Sequence, residues 1–289
     1  MTNKTFLFSR SVKGFSHIEK GIPCQDASGN YPPSAEKNSN YRLIVVADGH
    51  GSASKSDIGS KKAVKITKEA ISSFCEAETN PTYDDLYRLA SYIVNEWHNQ
   101  IEEEPCYNDD VKQYGTTLIV YVEYLYQGNW ESFGFQIGDG TCMQIFEEKD
   151  VENNFLLPMP RLLDEDGKQE GKPKPAPWHD EEAMTFNKTF SICSSDAIDN
   201  FIYYSSIELE EPQQAPLAVF IGSDGIEDSF AFDRQDKNIY KFYKQLHEKW
   251  ENEYGDGGFK KTLKKSLPEF SKNGSRDDVS IAGLMRRSN

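Results

Sequence analysis

The sequence predicts an α+β domain in which antiparallel sheets pack face to face and helices cover their outer sides. Two observations carry this reading. Short apolar or alternating runs of strand character are scattered from one end of the 289-residue chain to the other, and helical patterns come in pairs after groups of strands. The regular strand-helix alternation of a doubly wound parallel sheet is missing. A third observation concerns the ends of those runs, where an aspartate repeatedly stands beside a glycine.

The strand-like runs are residues 5–8, 42–47, 117–124, 132–137, 142–146, 217–222 and 279–285. Between the second and third lie two helical patterns. Ala63, Ile66, Ala70, Ile71 and Phe74 form one; Leu86, Leu89, Ala90, Ile93, Val94, Trp97 and Ile101 form the other. The spacing of three and four residues in the second puts one apolar stripe down a helix of roughly twenty residues. Ile239, Phe242, Tyr243, Leu246 and Trp250 mark a third pattern, and Phe259, Leu263 and Leu267 a weaker fourth. Residues 147–188 are rich in charge and proline, which predicts a surface insertion or flap within a single domain spanning 1–289.

A chain with 37% hydrophobic and 27% charged residues folds into a soluble globule with a substantial core. Its 47 Asp and Glu against 32 Lys and Arg give a formal charge of −15, and the mean field repels nucleic acid. The five cysteines are odd in number and contain no CxxC pair, so neither a disulfide framework nor a zinc knuckle is indicated. No apolar stretch has the length of a signal peptide or a membrane span. A cytoplasmic protein without a membrane or nucleic-acid partner is expected.

Five aspartates sit where apolar runs break into turns: Asp26 in PCQDAS, Asp48 in LIVVADGHG, Asp139 in FQIGDGT, Asp224 in AVFIGSDGIED and Asp277 in GSRDDVSIAGL. Any one of them has an ordinary explanation, since an aspartate commonly caps a turn after a strand. Together they ask for more. Carboxylates converging at strand ends repel one another and are costly to desolvate unless a multivalent cation neutralises them. The adjacent Gly49, Gly138, Gly140 and Gly225 permit close approach of backbone to a ligand.

The ordered set QDAS, VVADGHGS, GTTL, IGDG, SDGIED and SRDDVS resembles the signature of the type 2C metal-dependent serine/threonine protein phosphatases, with a start similar to a bacterial-type branch. The resemblance implies a four-layer α-β-β-α sandwich of two antiparallel sheets with metals at one end. It implies two or three Mn²⁺ or Mg²⁺ ions: Asp48 bridges two of them, Gly49 offers its backbone carbonyl, and Asp26, Asp224 and Asp277 complete the ligands. Asp139 and Asp228 join Asp224 at a third ion. Such hard ions prefer oxygen ligands and activate water, so no protein nucleophile is required. No CxxxxxR signature of a cysteine nucleophile occurs. His50 stands where the family carries a histidine that protonates the leaving oxygen, work that suits a near-neutral pKa.

One departure is visible. The arginine that binds substrate phosphate in better-known members falls on Gly21 here, with Arg10, His17 and Lys20 nearby; His17, in the Ser16-His17 pair, is the candidate substrate-binding residue. Asp278 occupies the family's usual asparagine position. Gly115, Thr116 and Thr117 match a structural strand-start motif. His98, His179 and His247 read as surface or packing residues, and Asp196 in SSDAIDN imitates SDGIED without its glycine. The expected activity is hydrolysis of phosphoserine and phosphothreonine in proteins, opposite a cognate kinase. The insertion at 147–188 is expected to influence substrate choice. Two other readings remain: a non-catalytic relative that binds a partner, and a two-metal nuclease, against which the acidic charge argues.

Overall fold

The computed structural model of the protein describes residues 5–33, 39–146, 190–209, 215–231 and 235–287, without the side chains of 235–236. The insertion predicted at 147–188 lies outside them. Two sheets form the centre. One has four strands in the order β1 (Phe6–Val12), β9 (Val279–Met285), β8 (Ala218–Gly222), β6 (Thr141–Ile145). The other has five, in the order β2 (Ala27–Tyr31), β3 (Tyr41–Ala47), β4 (Leu118–Tyr126), β5 (Asn129–Ile137), β7 (Ile202–Ser205). Every pairing is antiparallel.

Three apolar cores show why the sheets stack. Leu43, Val45 and Ala47 of β3 pack on α2 (Ser56–Glu76) and α3 (Tyr83–Glu102), while the alternate residues Ile44 and Val46 turn inward to meet Leu7, Val219, Ile221 and Leu284 of the other sheet. A strand buried on both faces reads as an unbroken apolar run, which is why β3 is so plain in the sequence. The third core joins the four-stranded sheet to α5 (Gln235–Lys249) and α6 (Gly255–Asn273). The layers are therefore helix, sheet, sheet, helix, as the sequence predicts. Two short helices complete the description: α1 (Phe15–Lys20) and α4 (Asp224–Glu227).

All four helical patterns form helices, and all seven strand runs form strands. The structure adds β2 and β7, whose sequences ASGNY and IYYS carry too little apolar alternation to be recognised. It also extends the first strand from the expected end at residue 8 to Val12. Three of the four added residues, Ser9, Arg10 and Ser11, are polar, yet all pair in register with β9, and Ser9 and Ser11 donate side-chain bonds to Asn30 and Ser28 of the neighbouring sheet. Backbone pairing, which ignores side-chain polarity, decides that boundary. Among the described residues no helix is long and apolar enough to cross a membrane.

Candidate metal centre

The strand ends named in the sequence meet at one cavity of about 350 Å³ between the two sheets. Asp26, Asp48, Gly49, His50, Asp139, Asp224, Asp277 and Asp278 line it, together with Gly51 and Ser52. Asp26 directly precedes β2, Asp48 follows β3, Asp139 lies in the β5–β6 turn, Asp224 opens α4 after β8, and Asp277 precedes β9. Asp228 does not line the cavity; it follows α4 as an exposed residue whose N–H donates to the Asp224 carbonyl at 2.7 Å.

Backbone contacts fix the Asp48 loop. The Asp48 carbonyl accepts the Thr117 N–H at 2.8 Å and the Thr116 hydroxyl at 2.7 Å, and the Asp48 N–H donates to Thr117 Oγ1 at 3.1 Å. The His50 N–H donates to the Gly115 carbonyl at 3.0 Å. Gly115, Thr116 and Thr117 thus hold the loop rather than enter the cavity. Gly49 is required by space: a Cβ there would sit 2.4 Å from the Gln25 carbonyl oxygen and 2.9 Å from Ser56 Cβ.

Gln25 was not singled out in the sequence, and it is the hub of the site's support. Its side-chain amide donates to the Ala53 carbonyl at 2.9 Å and to Ser56 Oγ at 2.7 Å, its carbonyl accepts Ser60 Oγ at 2.5 Å, and its N–H donates to Asp278 Oδ2 at 2.5 Å. The signal was present in the QD pair, but a buried amide recruiting three loops has no local pattern. Ser223 and Ser280 were missed for the same reason. The Ser280 N–H donates to Ser223 Oγ at 3.0 Å, and both serines act to lower the Asp26 pKa against its burial.

The electrostatics are strained in a way that identifies the ligand class. Burial, and then the charges of Asp224 and Asp278, push the Asp26 pKa well up; burial, and then Asp224 and Asp26, do the same to Asp48. Asp224 is raised to about 7, chiefly by burial, although a side-chain hydrogen bond with Asp48 pulls the other way. Asp228, although exposed, is raised by partial desolvation, with the charges of Asp139 and Asp277 adding to it. Asp26 Oδ2 and Asp48 Oδ2 are buried and have no hydrogen-bond partner. Orphaned carboxylate oxygens among like charges either take up protons or stay ionised with a cation between them. The donor set is entirely oxygen, which fits hard divalent ions such as Mg²⁺ and Mn²⁺.

His50 lines the same cavity; burial lowers its pKa while the Asp139 charge opposes that shift. His17, the expected substrate-phosphate ligand, is not among the described residues that line the cavity. Its ring is 6% exposed; Nδ1 lies 3.0 Å from Asp278 Oδ1 and Nε2 lies 3.4 Å from Asp277 Oδ1. A ring packed against two carboxylates is poorly placed to meet a phosphate. Among the described residues no arginine or lysine lines the cavity. Asp196 precedes a short 3₁₀ turn far from the cavity lining, His247 bonds the Arg286 carbonyl at 2.7 Å, and His98 bonds the Ile192 carbonyl at 3.1 Å. His179 lies outside the described residues.

The sequence profile of protein phosphatase 2C matches residues 13–269, taking in Asp26, Asp48, Asp139, Asp224 and Asp228. The chain belongs to the protein phosphatase 2C family. Solved structures share the fold. The serine/threonine phosphatase of S. agalactiae is 13% identical, with 98% of this chain and 100% of that one covered and a TM-score of 0.56. The catalytic domain of the serine/threonine protein phosphatase PstP, solved in complex with two manganese ions, is 14% identical over 98% of this chain and 99% of that one, with a TM-score of 0.55. A C. elegans sex determining protein gives a TM-score of 0.59 at 15% identity, over 97% of this chain and 65% of that one. None of the curated proteins matches the sequence.

Proposed function

We propose that this member of the protein phosphatase 2C family hydrolyses phosphoserine and phosphothreonine in proteins with the help of two or three Mn²⁺ or Mg²⁺ ions. The observation that carries the reading is the pair of buried, partnerless oxygens Asp26 Oδ2 and Asp48 Oδ2 on residues that line a cavity rich in carboxylates. Asp26, Asp48, Asp224 and Asp277, with the Gly49 carbonyl, would hold two ions, and Asp139 and Asp224, with Asp228 outside the cavity lining, would hold a weaker third. When bound, such ions supply the positive charge that a phosphoryl group needs and acidify a water to serve as nucleophile.

The chain's own residues do the rest. Thr116 and Thr117 keep the Asp48 carboxylate at the cavity, and Ser223 and Ser280 orient Asp26. His50 lines the cavity and supplies a proton to the departing alcohol oxygen, and Asp139 favours the charged imidazole it needs. Burial lowers the pKa of that ring, so the proton is released readily once delivered. With no arginine or lysine among the described lining residues, the substrate phosphate would be held chiefly by the ions. All five cysteines are free thiols, which supports a cytoplasmic setting. A phosphoprotein substrate implies a serine/threonine kinase acting on the same sites.

The test is Mn²⁺-dependent release of phosphate from a phosphothreonine peptide, run beside Asp48→Asn and Asp224→Asn variants shown to be folded. Activity is expected to vanish with chelator and to fall by at least about 10²-fold in both variants. A folded wild-type chain inactive with every divalent ion would instead leave the non-catalytic binding module.

A further inference from the structure

Every polar anchor given for the start of α1 leads to one place. The Gly14 N–H donates to Asp278 Oδ1 at 2.6 Å, the Phe15 N–H to Ser271 Oγ at 3.1 Å and the Ser16 N–H to the Arg276 carbonyl at 2.8 Å. Glu19 pairs with Arg276 at 2.6 Å, and the Arg276 guanidinium lies 4.7 Å from the centre of the Phe15 ring. The approach is so close that a Cβ on Gly14 would sit 2.3 Å from the Asp277 carbonyl carbon. A six-residue helix is too short to be stable alone. What its docking achieves is to set the His17 ring between two consecutive carboxylates.

We propose that His17 is a positioning residue for the metal centre, holding Asp277 so that one carboxylate oxygen is committed to the protein and the other is left for the ion. Asp277 Oδ1 already accepts the Asp278 N–H at 2.8 Å, and His17 Nε2 stands 3.4 Å from the same oxygen. On the far side of the ring Asp278 Oδ1 lies 3.0 Å from Nδ1, a close electrostatic contact without hydrogen-bond geometry, and the Asp278 oxygens are themselves fixed by the N–H groups of Gly14 and Gln25. Asp277 needs such help because its side chain is 51% exposed, unlike the buried Asp26. Residues behind a metal ligand that fix its orientation typically change metal affinity about 10–100-fold when removed. His17 acts on Asp277 from behind the cavity wall, consistent with its absence from the lining.

The inference rests on the reading of Asp277 as a metal ligand, and calorimetric titration with Mn²⁺ alone separates the two. Wild type, His17→Ala, His17→Gln and, as a control, the exposed Lys20→Gln are compared, with the melting temperature of each chelated protein recorded alongside. The Ala variant is expected to bind Mn²⁺ about 10–100-fold more weakly, the Gln variant to recover part of the loss through its amide N–H, and the control to match wild type. In turnover the Ala variant loses kcat at subsaturating Mn²⁺ and regains it at high Mn²⁺. Equal Mn²⁺ affinity in wild type and His17→Ala overturns the positioning role while leaving the metal centre standing; a wild-type chain that binds no Mn²⁺ overturns both.

Discussion

The Asp278 carboxylate accepts the backbone N–H of Gln25 at 2.5 Å, a bond spanning 253 residues of sequence. Its other oxygen accepts the Gly14 N–H at 2.6 Å, and the side chain is only 2% exposed. One carboxylate thereby locks the segment before Asp26 to the segment that carries Asp277. Both donors are backbone groups that water cannot reach if the acceptor is lost.

Asp278→Asn tests that lock. An amide keeps one acceptor oxygen but turns its NH₂ toward a second backbone donor, so one buried N–H goes unpaired at a cost of about 2 kcal/mol. Denaturant unfolding of the chelated protein should show a loss of that size, with Asp278→Ala losing more. A variant as stable as wild type would mean that the lock has no stabilising value.

The crowded carboxylates give the metal-free protein an unusual pH dependence. Folding raises the Asp224 pKa from its ordinary 3.8 to about 7 and raises those of Asp26 and Asp48 as well, burial being the largest cause in each. The folded state thus binds protons that the unfolded state releases. That contribution to stability is complete below the unfolded pKa and is lost as pH rises through about 7. Between pH 5 and pH 8 the melting temperature of the chelated protein should fall by roughly a few degrees. Asp224→Asn should flatten the slope, and Mn²⁺ should raise the melting temperature most at the alkaline end. A chelated protein whose melting temperature rises across this range would contradict the carboxylate crowding.

Away from the metal centre, Glu123 of β4 is 4% exposed and faces two guanidinium groups: Arg42 of β3 at 2.9 Å, and Arg286, which follows β9 in the opposite sheet. Arg42 also stacks 4.0 Å from the centre of the Trp130 ring. Glu123→Gln leaves both cations without their counter-charge inside the sandwich. Removing one partner of a buried ion pair costs about 3–5 kcal/mol. Thermal unfolding should register that loss while Mn²⁺ affinity stays as in wild type, because none of these groups lines the cavity.

Much of the fold could be read from the chain because burial leaves a periodic trace. Leu43 to Ala47 are buried on both faces and read as one apolar run, and Leu86 to Ile101 repeat at helical spacing because one side of α3 covers a sheet. β2 and β7 left no such trace. They exist because neighbouring strands offer them hydrogen bonds, and a backbone ladder needs no particular side chains.

By itself the sequence determined the α+β class, the positions of the helices and most strands, the family, and which aspartates stand at strand ends. Only the tertiary structure decided how those ends meet. β1 pairs with β9, the first strand with the last, and this brings the chain's beginning against Asp277 and Asp278. It moved His17 from the expected phosphate to the back of a carboxylate, left Asp228 off the cavity wall, and made Gln25 the hub of three loops. The physical reason is the range of the forces involved. Hydrophobic periodicity is set by near neighbours along the chain, whereas desolvated charges and buried hydrogen bonds are settled by whatever the folded chain places within a few ångströms.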